Sequence, residues 1–244
     1  MKTEIIADIG INFMGDMNIA RKMIADVAEC GASICKFQWY SVFDLFGDPS
    51  KDTYNDEIYQ NVQSFELSEE KIKQLIKWCE YEGVEFGCSV FDTKRFEIID
   101  GLGVKHHKVA SRVSKYDRPL AIKMLETGKP TYVSLGFGAE QFSKETYKNY
   151  FPLYCVAKYP SEYSDFNFPA NFKDSEFYGF SSHAMTPYPA MVAISRGAKC
   201  IEVHYTLDKS MAALRGGYDH ICSLNKTELK QLCEFAKHAE RLDL

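Results

Sequence analysis

The 244 residues are 45% apolar and 26% charged, the balance of an ordinary globular protein rather than a disordered or fibrous one. A net charge of −5 with no basic block excludes a general nucleic-acid or membrane-surface role, and no apolar run approaches the length of a membrane span. The opening MKTEIIADIGINF has no apolar leader core and no cleavage signal, so it reads as mature protein.

Short apolar runs rich in β-branched and aromatic residues alternate with longer amphipathic ones. Glu4–Ile9 is the first predicted strand. The helix Asn18–Cys30 follows, with Ile19, Met23, Ile24, Val27 and Ala28 forming one stripe. Ser33–Phe37 is the second strand. After it, Tyr40–Glu66 shows no clear period, and loops this long are usually functional or mobile, so the segment is expected either to cover a site or to be a disordered insertion. The helix Ser68–Tyr81, strand Glu85–Ser89, helix Arg95–Asp100, strand His107–Ala110, helix Pro119–Thr127 and strand Thr131–Leu135 come next. Strands Leu153–Ala157, Tyr178–Ser181 and Cys200–Val203 complete a set of eight, with the helix Pro189–Arg196 between the last two. Helices after strands five and six are poorly marked, and Asn167–Asp174, with Pro169, suggests a turn. Gly31, Gly83, Gly101, Gly128 and Gly197 fall where helices end, the position at which φ turns positive. Asn225 with Glu228 forms a capping box that opens a final helix.

Eight strand-then-helix units in one chain of this length predict an α/β fold, a single (β/α)8 TIM barrel spanning 1–244. A doubly wound open sheet is the alternative, but ADIGINFMGD is a poor Gly-x-Gly-x-x-Gly match. The eight cysteines contain no Cys-x-x-Cys pair and several sit in apolar strands, so buried thiols in a reducing, cytoplasmic setting are expected.

In such barrels chemistry sits at the C-terminal ends of the strands. Those ends carry Asp8, then Lys36 and Gln38, Ser89, Lys108 and Ser111, Ser134 and Gly136, Lys158 and Tyr159, Ser181 and His183, and Glu202 and His204. A lysine inside an apolar strand is costly to bury unless an anion meets it. Lys36 and Lys108 with their serines therefore suggest a pocket for phosphate or carboxylate. The bland reading has both stems reaching solvent. His183 and His204, on adjacent strand ends with Glu202, Asp219 and His220 nearby, suggest a divalent-metal pair with open positions for substrate. Spacing alone does not separate zinc from manganese. Adjacent His106 and His107 must point to opposite faces. His238 reads as a surface residue, and Trp39 and Trp78 as packing residues.

The segments ADIGIN, CKFQ, CSVFD, KVAS, VSLG, LYCVAKYP, GFSSH, IEVHYTLD and GGYDHICS resemble, in order and spacing, the barrel domain of the N-acetylneuraminate (sialic acid) synthase family, from about residue 4 to 240. The resemblance lacks that family's C-terminal antifreeze-like domain. It implies a transferase that condenses phosphoenolpyruvate with an N-acetylated amino sugar or another aldose, giving a 2-keto sugar acid and phosphate. It implies a divalent ion, typically Mn2+ (Mg2+, Co2+ or Zn2+ as alternatives), on His183 and His204. Lys36, Ser89, Lys108, Ser111, Ser134 and Ser181 are implied to hold phosphoenolpyruvate. Gln38, Tyr159 and Asp219 match sugar-side positions, and a homodimer is implied. The sequence departs from the pattern at Arg112 and Val113, where the family has Gly-Glu. It also departs at Ala157, at Asp8 for glutamate, at Phe13 for histidine and at Ser182 for aspartate. Arg112 or Arg215 is expected to supply the positive charge that the antifreeze-like domain brings to the sugar. The other readings are a metal-dependent aldolase or lyase acting on another keto acid, and a non-catalytic ligand-binding barrel.

Overall fold

The computed structural model describes residues 3–46, 56–213 and 219–242. Eight parallel strands pair in sequence order, and the last pairs back to the first, closing a (β/α)8 barrel. They are β1 (Glu4–Gly10), β2 (Ile34–Trp39), β3 (Glu85–Val90), β4 (His107–Val109), β5 (Thr131–Leu135), β6 (Tyr150–Cys155), β7 (Gly179–Ser182) and β8 (Cys200–Tyr205). A two-residue strand that the sequence pattern does not reveal, β9 (Ser223–Leu224), lies along the end of β8. β6 starts three residues earlier than predicted, because Pro152 lies inside it. A proline ordinarily demotes a strand, but its carbonyl is still usable, and here it accepts from Tyr178 N–H at 2.7 Å.

The outer layer comprises α1 (Met17–Cys30), α2 (Val42–Phe46), α3 (Asp56–Ser64), α4 (Glu69–Glu82), α5 (Thr93–Gly101), α6 (Ser111–Tyr116), α7 (Arg118–Glu126), α8 (Tyr188–Ser195) and α9 (Lys226–Arg241). Between β5 and β6, and between β6 and β7, the described residues form turns and one short 3-10 segment, matching the weak helical signal there. The Asn225–Glu228 capping box is present at α9. Gly31, Gly83, Gly128 and Gly197 have positive φ, as expected of helix ends, but Gly101 is still helical and Gly103 makes the turn with φ 80°. The Tyr40–Glu66 segment holds α2 and α3, whose inner faces pack with Ile11, Tyr40 and Phe65 as a small separate core. Its residues 47–55 lie outside the described part.

Strand alternation explains how one sheet serves two purposes. Ile5, Ala7 and Ile9 face the helices in the main core, whereas Ile6, Ile34, Tyr132, Leu153 and Cys200 plug the barrel interior. One step further along each strand the interior turns polar. Parallel register sets Asp8 beside both Lys36 and His204, Ser89 beside Lys108, and Ser181 beside Glu202. The interior is tight: a side chain at Gly179 would collide with the Cys200 carbonyl of the next strand. His106 and His107 do point oppositely. His106 lies within the barrel against Tyr132, and His107 packs outward on Phe96 with its Nε2 3.1 Å from Asp100. Trp39 is buried, donating to the Leu67 carbonyl at 2.7 Å, and Trp78 packs at the core edge under Arg21.

The seam that closes the barrel is held by Asp26 of α1. Its carboxylate, 3% exposed, meets Lys22 at 2.5 Å, Lys226 at 2.7 Å and the Tyr205 hydroxyl at 3.2 Å. Burial raises its pKa, but the two ammonium groups outweigh burial and leave it below the usual carboxylate value. A depressed carboxylate contributes stability above its unfolded pKa of about 3.9 and loses it as pH falls through the lower folded value. Asp26→Ala is expected to cost about 2 kcal/mol in urea unfolding at pH 7. The gap between the variant and the native chain should begin to narrow below about pH 4 and close as pH falls through the lower folded value.

Candidate active site

The polar strand ends converge on a small inner chamber of ≈40 Å3 that opens to a larger outer cavity of ≈520 Å3. The chamber is built around four buried charges. Lys36 Nζ lies 2.7 Å from Asp8 Oδ2, 3.2 Å from Ser89 Oγ and 3.5 Å from Glu202 Oε1. Lys108 Nζ lies 2.8 Å from Ser134 Oγ, 3.0 Å from the Val109 carbonyl and 3.2 Å from Glu202 Oε2, which also accepts from Ser181 Oγ at 2.6 Å. Glu202 thus bridges the two lysines. Neither stem reaches solvent, since both ammonium groups are buried. The anions the lysines meet come first from the chain itself, which the strand pattern alone does not show.

Burial favours the neutral forms, and the ion pairs reverse it. Desolvation lowers the Lys36 pKa, but Asp8 and Glu202 raise it further than burial lowers it. Desolvation raises Glu202, and Lys108 with Lys36 pull it well below the usual carboxylate range. Lys36 and Glu202 are therefore held in their charged forms within this buried layer.

Above this layer stand the two histidines, with ring centroids 5.5 Å apart. His183 Nδ1 lies 2.8 Å from the Val156 carbonyl. A carbonyl only accepts, so Nδ1 carries a proton, and in the neutral ring Nε2 keeps its lone pair. His204 Nδ1 is buried with no hydrogen-bond partner, 3.6 Å from Asp8 Oδ2. Asp8 Oδ1 and Glu202 Oε1 likewise accept no hydrogen bond. Buried orphan polar atoms are rare in folded proteins and mark strain, chemistry or an ion or water between them. Three of them gather here. Among the described residues no group of three or more His, Cys, Asp and Glu side chains converges to hold a metal. Two imidazoles with oxygen ligands from water or substrate are the donor set this site offers a divalent ion, and it suits one.

Tyr159 stacks on His183, with centroids 3.9 Å apart, and precedes the cis proline Pro160. Gln38 Nε2 donates to Asp8 Oδ2 at 3.4 Å. Ser111 Oγ donates to Cys155 Sγ at 3.2 Å, and Cys155 is one of eight buried cysteines outside any disulfide, as the sequence suggests. Asp8, Lys36, Gln38, Ser89, Lys108, Ser111, Ser134, Tyr159, Ser181, His183 and His204 all line the inner chamber, and Arg112 and Asp219 line the outer cavity. Lys158 does not belong. It points outward and pairs with Asp165 at 2.9 Å. Arg215 lies outside the described residues.

Glu202 and Cys155 are the contributors that the strand-end reading underrates. The signal for Glu202 was present, because Cys200, Glu202 and His204 alternate and share the interior face. The outer cavity also holds a result at the departure from the Gly-Glu pattern. Ser111 starts α6, so Arg112 and Val113 lie about 100° apart on that helix. Arg112 faces the cavity, donating to the Leu45 carbonyl at 2.6 Å, while Val113 is buried in the main core.

A model of the NeuB family matches residues 23–243. An N,N'-diacetyllegionaminic acid synthase of Campylobacter jejuni is 31% identical, over 95% of this chain and 75% of its own length. An N-acetylneuraminate-9-phosphate synthase of Homo sapiens is 28% identical, over 97% and 70%. The crystal structure of an N-acetylneuraminic acid synthetase from Leptospira borgpetersenii, in complex with citrate, superposes with a TM-score of 0.86 at 26% identity, covering 99% of this chain and 85% of that one.

Proposed function

The chain belongs to the NeuB family, and from that premise we propose that it condenses phosphoenolpyruvate with an aldose or N-acetylated amino sugar, giving a 2-keto sugar acid and inorganic phosphate. The observation that carries this reading is the buried pair Lys36 and Lys108, ringed by serine hydroxyls directly beneath the two imidazoles. Sugar-acid synthases among the relatives make the reaction class the natural one.

Phosphoenolpyruvate binds with its carboxylate and phosphate against Lys36 and Lys108. Those oxyanions compete with Asp8 and Glu202 for the ammonium groups. Ser89, Ser111, Ser134 and Ser181 supply short hydroxyl donors that need no charge of their own. The sugar enters from the outer cavity, where Gln38, Tyr159 and Asp219 meet its hydroxyls. Arg112 offsets negative charge at the rim, the role expected of it or Arg215. The enol carbon of phosphoenolpyruvate bonds to the aldehyde carbon, water adds at C2, and phosphate leaves, so one water is consumed per keto acid. His183 and His204 would hold the divalent ion, Mn2+ before Mg2+, Co2+ or Zn2+, and when bound it polarises the aldehyde. Tyr159, stacked on His183, fixes that imidazole's plane and keeps water off one face.

The test is phosphate release. Purified protein with Mn2+ and phosphoenolpyruvate is offered a panel of aldoses and N-acetylated amino sugars. Phosphate appearing only when a sugar is present is the expected result. Keto-acid turnover without phosphate would instead indicate an aldolase or lyase, and binding without turnover a non-catalytic barrel.

A further inference from the structure

The outer cavity is polar at one end only. Gln38, Tyr159, His204 and Asp219 sit where it meets the inner chamber, and Arg112 stands at the rim. The remaining walls are apolar: Ile11 from the β1 loop, Ile58 and Val62 from α3, Phe91 after β3, and Phe137 after β5. A hydroxyl placed against such walls loses water and gains no partner, whereas a methyl group gains.

Phe137 is the unusual member. It is 47% exposed, although its neighbours in sequence lead directly from a barrel strand. Its φ is 54°, a region that a bulky L-residue occupies only under constraint. The turn around it is built to allow this. A side chain at Gly136 would come within 2.7 Å of Ser111 Oγ, so only glycine lets the strand end pass so close to α6. Gly138 follows with φ 65°, and its carbonyl is held by Lys115 Nζ at 3.0 Å. Tyr116 backs the Phe137 ring, with centroids 5.9 Å apart. Phe137 is thus a half-exposed aromatic at positive φ, held by its neighbours and lining the cavity.

We propose that Phe137 is a specificity-determining residue, whose ring selects an acceptor sugar carrying a methyl-bearing substituent, an N-acetyl or a 6-deoxy carbon, over its fully hydroxylated counterpart. The inference rests on the condensation reading above, since it assigns the outer cavity to the sugar. The acceptor is then amphipathic: hydroxyls and aldehyde toward Gln38, Tyr159 and Asp219, methyl toward Phe137 and the α3 residues.

The test compares the native chain with Phe137→Gly and Phe137→Leu. Glycine accepts the positive φ, so Phe137→Gly should fold, and its melting curve checks this. With Mn2+ and phosphoenolpyruvate, kcat/KM is measured for an aldose, its N-acetylated 2-amino analogue and its 6-deoxy analogue. In Phe137→Gly the preference for at least one methyl-bearing analogue over the aldose should fall by about tenfold or more, and Phe137→Leu should retain most of it. Preferences unchanged in Phe137→Gly would overturn the proposal while leaving the condensation reading intact. If the native chain turns over no sugar, the condensation reading fails, and saturation-transfer NMR decides this proposal separately. Transfer to the sugar methyl that is lost in Phe137→Gly supports it. Transfer that persists in the variant, or is absent from the native chain, overturns it.

Discussion

Lys108→Met is expected to abolish phosphate release and to destabilise the fold by about 3–5 kcal/mol, the cost of leaving a buried carboxylate without its partner. Glu202 Oε2 then retains only the Ser181 hydroxyl at 2.6 Å, with Lys36 3.5 Å from Oε1. One ammonium group is left to balance two buried carboxylates. Adding Glu202→Gln to Lys108→Met restores one charge of each sign, so much of the lost stability should return, because Gln keeps the shape and can still accept from Ser181. Activity should not return with it, since the charge that meets the substrate anion is missing. Thermal or urea unfolding beside a phosphate-release assay separates the two effects. Stability that fails to recover in the double variant would show that Glu202 is not the counter-ion, and activity that recovers would remove Lys108 from the substrate site.

His204→Ala is expected to remove divalent-cation binding and to lower kcat/KM by about a thousandfold, the several kcal/mol that Lewis-acid polarisation of a carbonyl contributes. Calorimetric titration of Mn2+ into the native chain should show one site per chain, lost in the variant. A chelator should silence the native enzyme reversibly. Stability should change little, because His204 Nδ1 makes no hydrogen bond in the folded chain. His183→Ala should act alike on binding but unfold more easily, because its Nδ1–H is tied to the Val156 carbonyl and its ring supports Tyr159. Equal Mn2+ binding by the native chain and both variants would rule out the histidine pair as the metal site.

Most of the barrel was legible in the sequence, because a buried parallel strand needs a short apolar run whatever surrounds it. Thr131–Leu135 matches its strand to the residue, and the helix stripe from Ile19 to Ala28 matches α1. The polar residues at the strand ends were equally legible. A lysine within ICKFQW or HHKVAS contradicts its neighbours so strongly that it demands a partner. What the sequence could not show was which partner. Lys36 and Lys108 suggested a ligand anion, and register supplied Asp8 and Glu202 first. Lys158 was counted among the strand-end residues, but it lies beyond β6, where the chain has left the barrel and alternation no longer fixes direction.

The sequence by itself determined the eight-strand alternation, the family, and the residue types that gather at one end of the barrel. Tertiary structure decided their pairing: the bridge of Glu202 between two lysines, Arg112 rather than Val113 facing the cavity, and Phe137 held at positive φ over it. The physical reason is range. Strand and helix periods are local properties of a few consecutive residues. Charge pairing and cavity shape depend on strand register and helix phase between segments far apart in the chain, which only closure of the barrel sets.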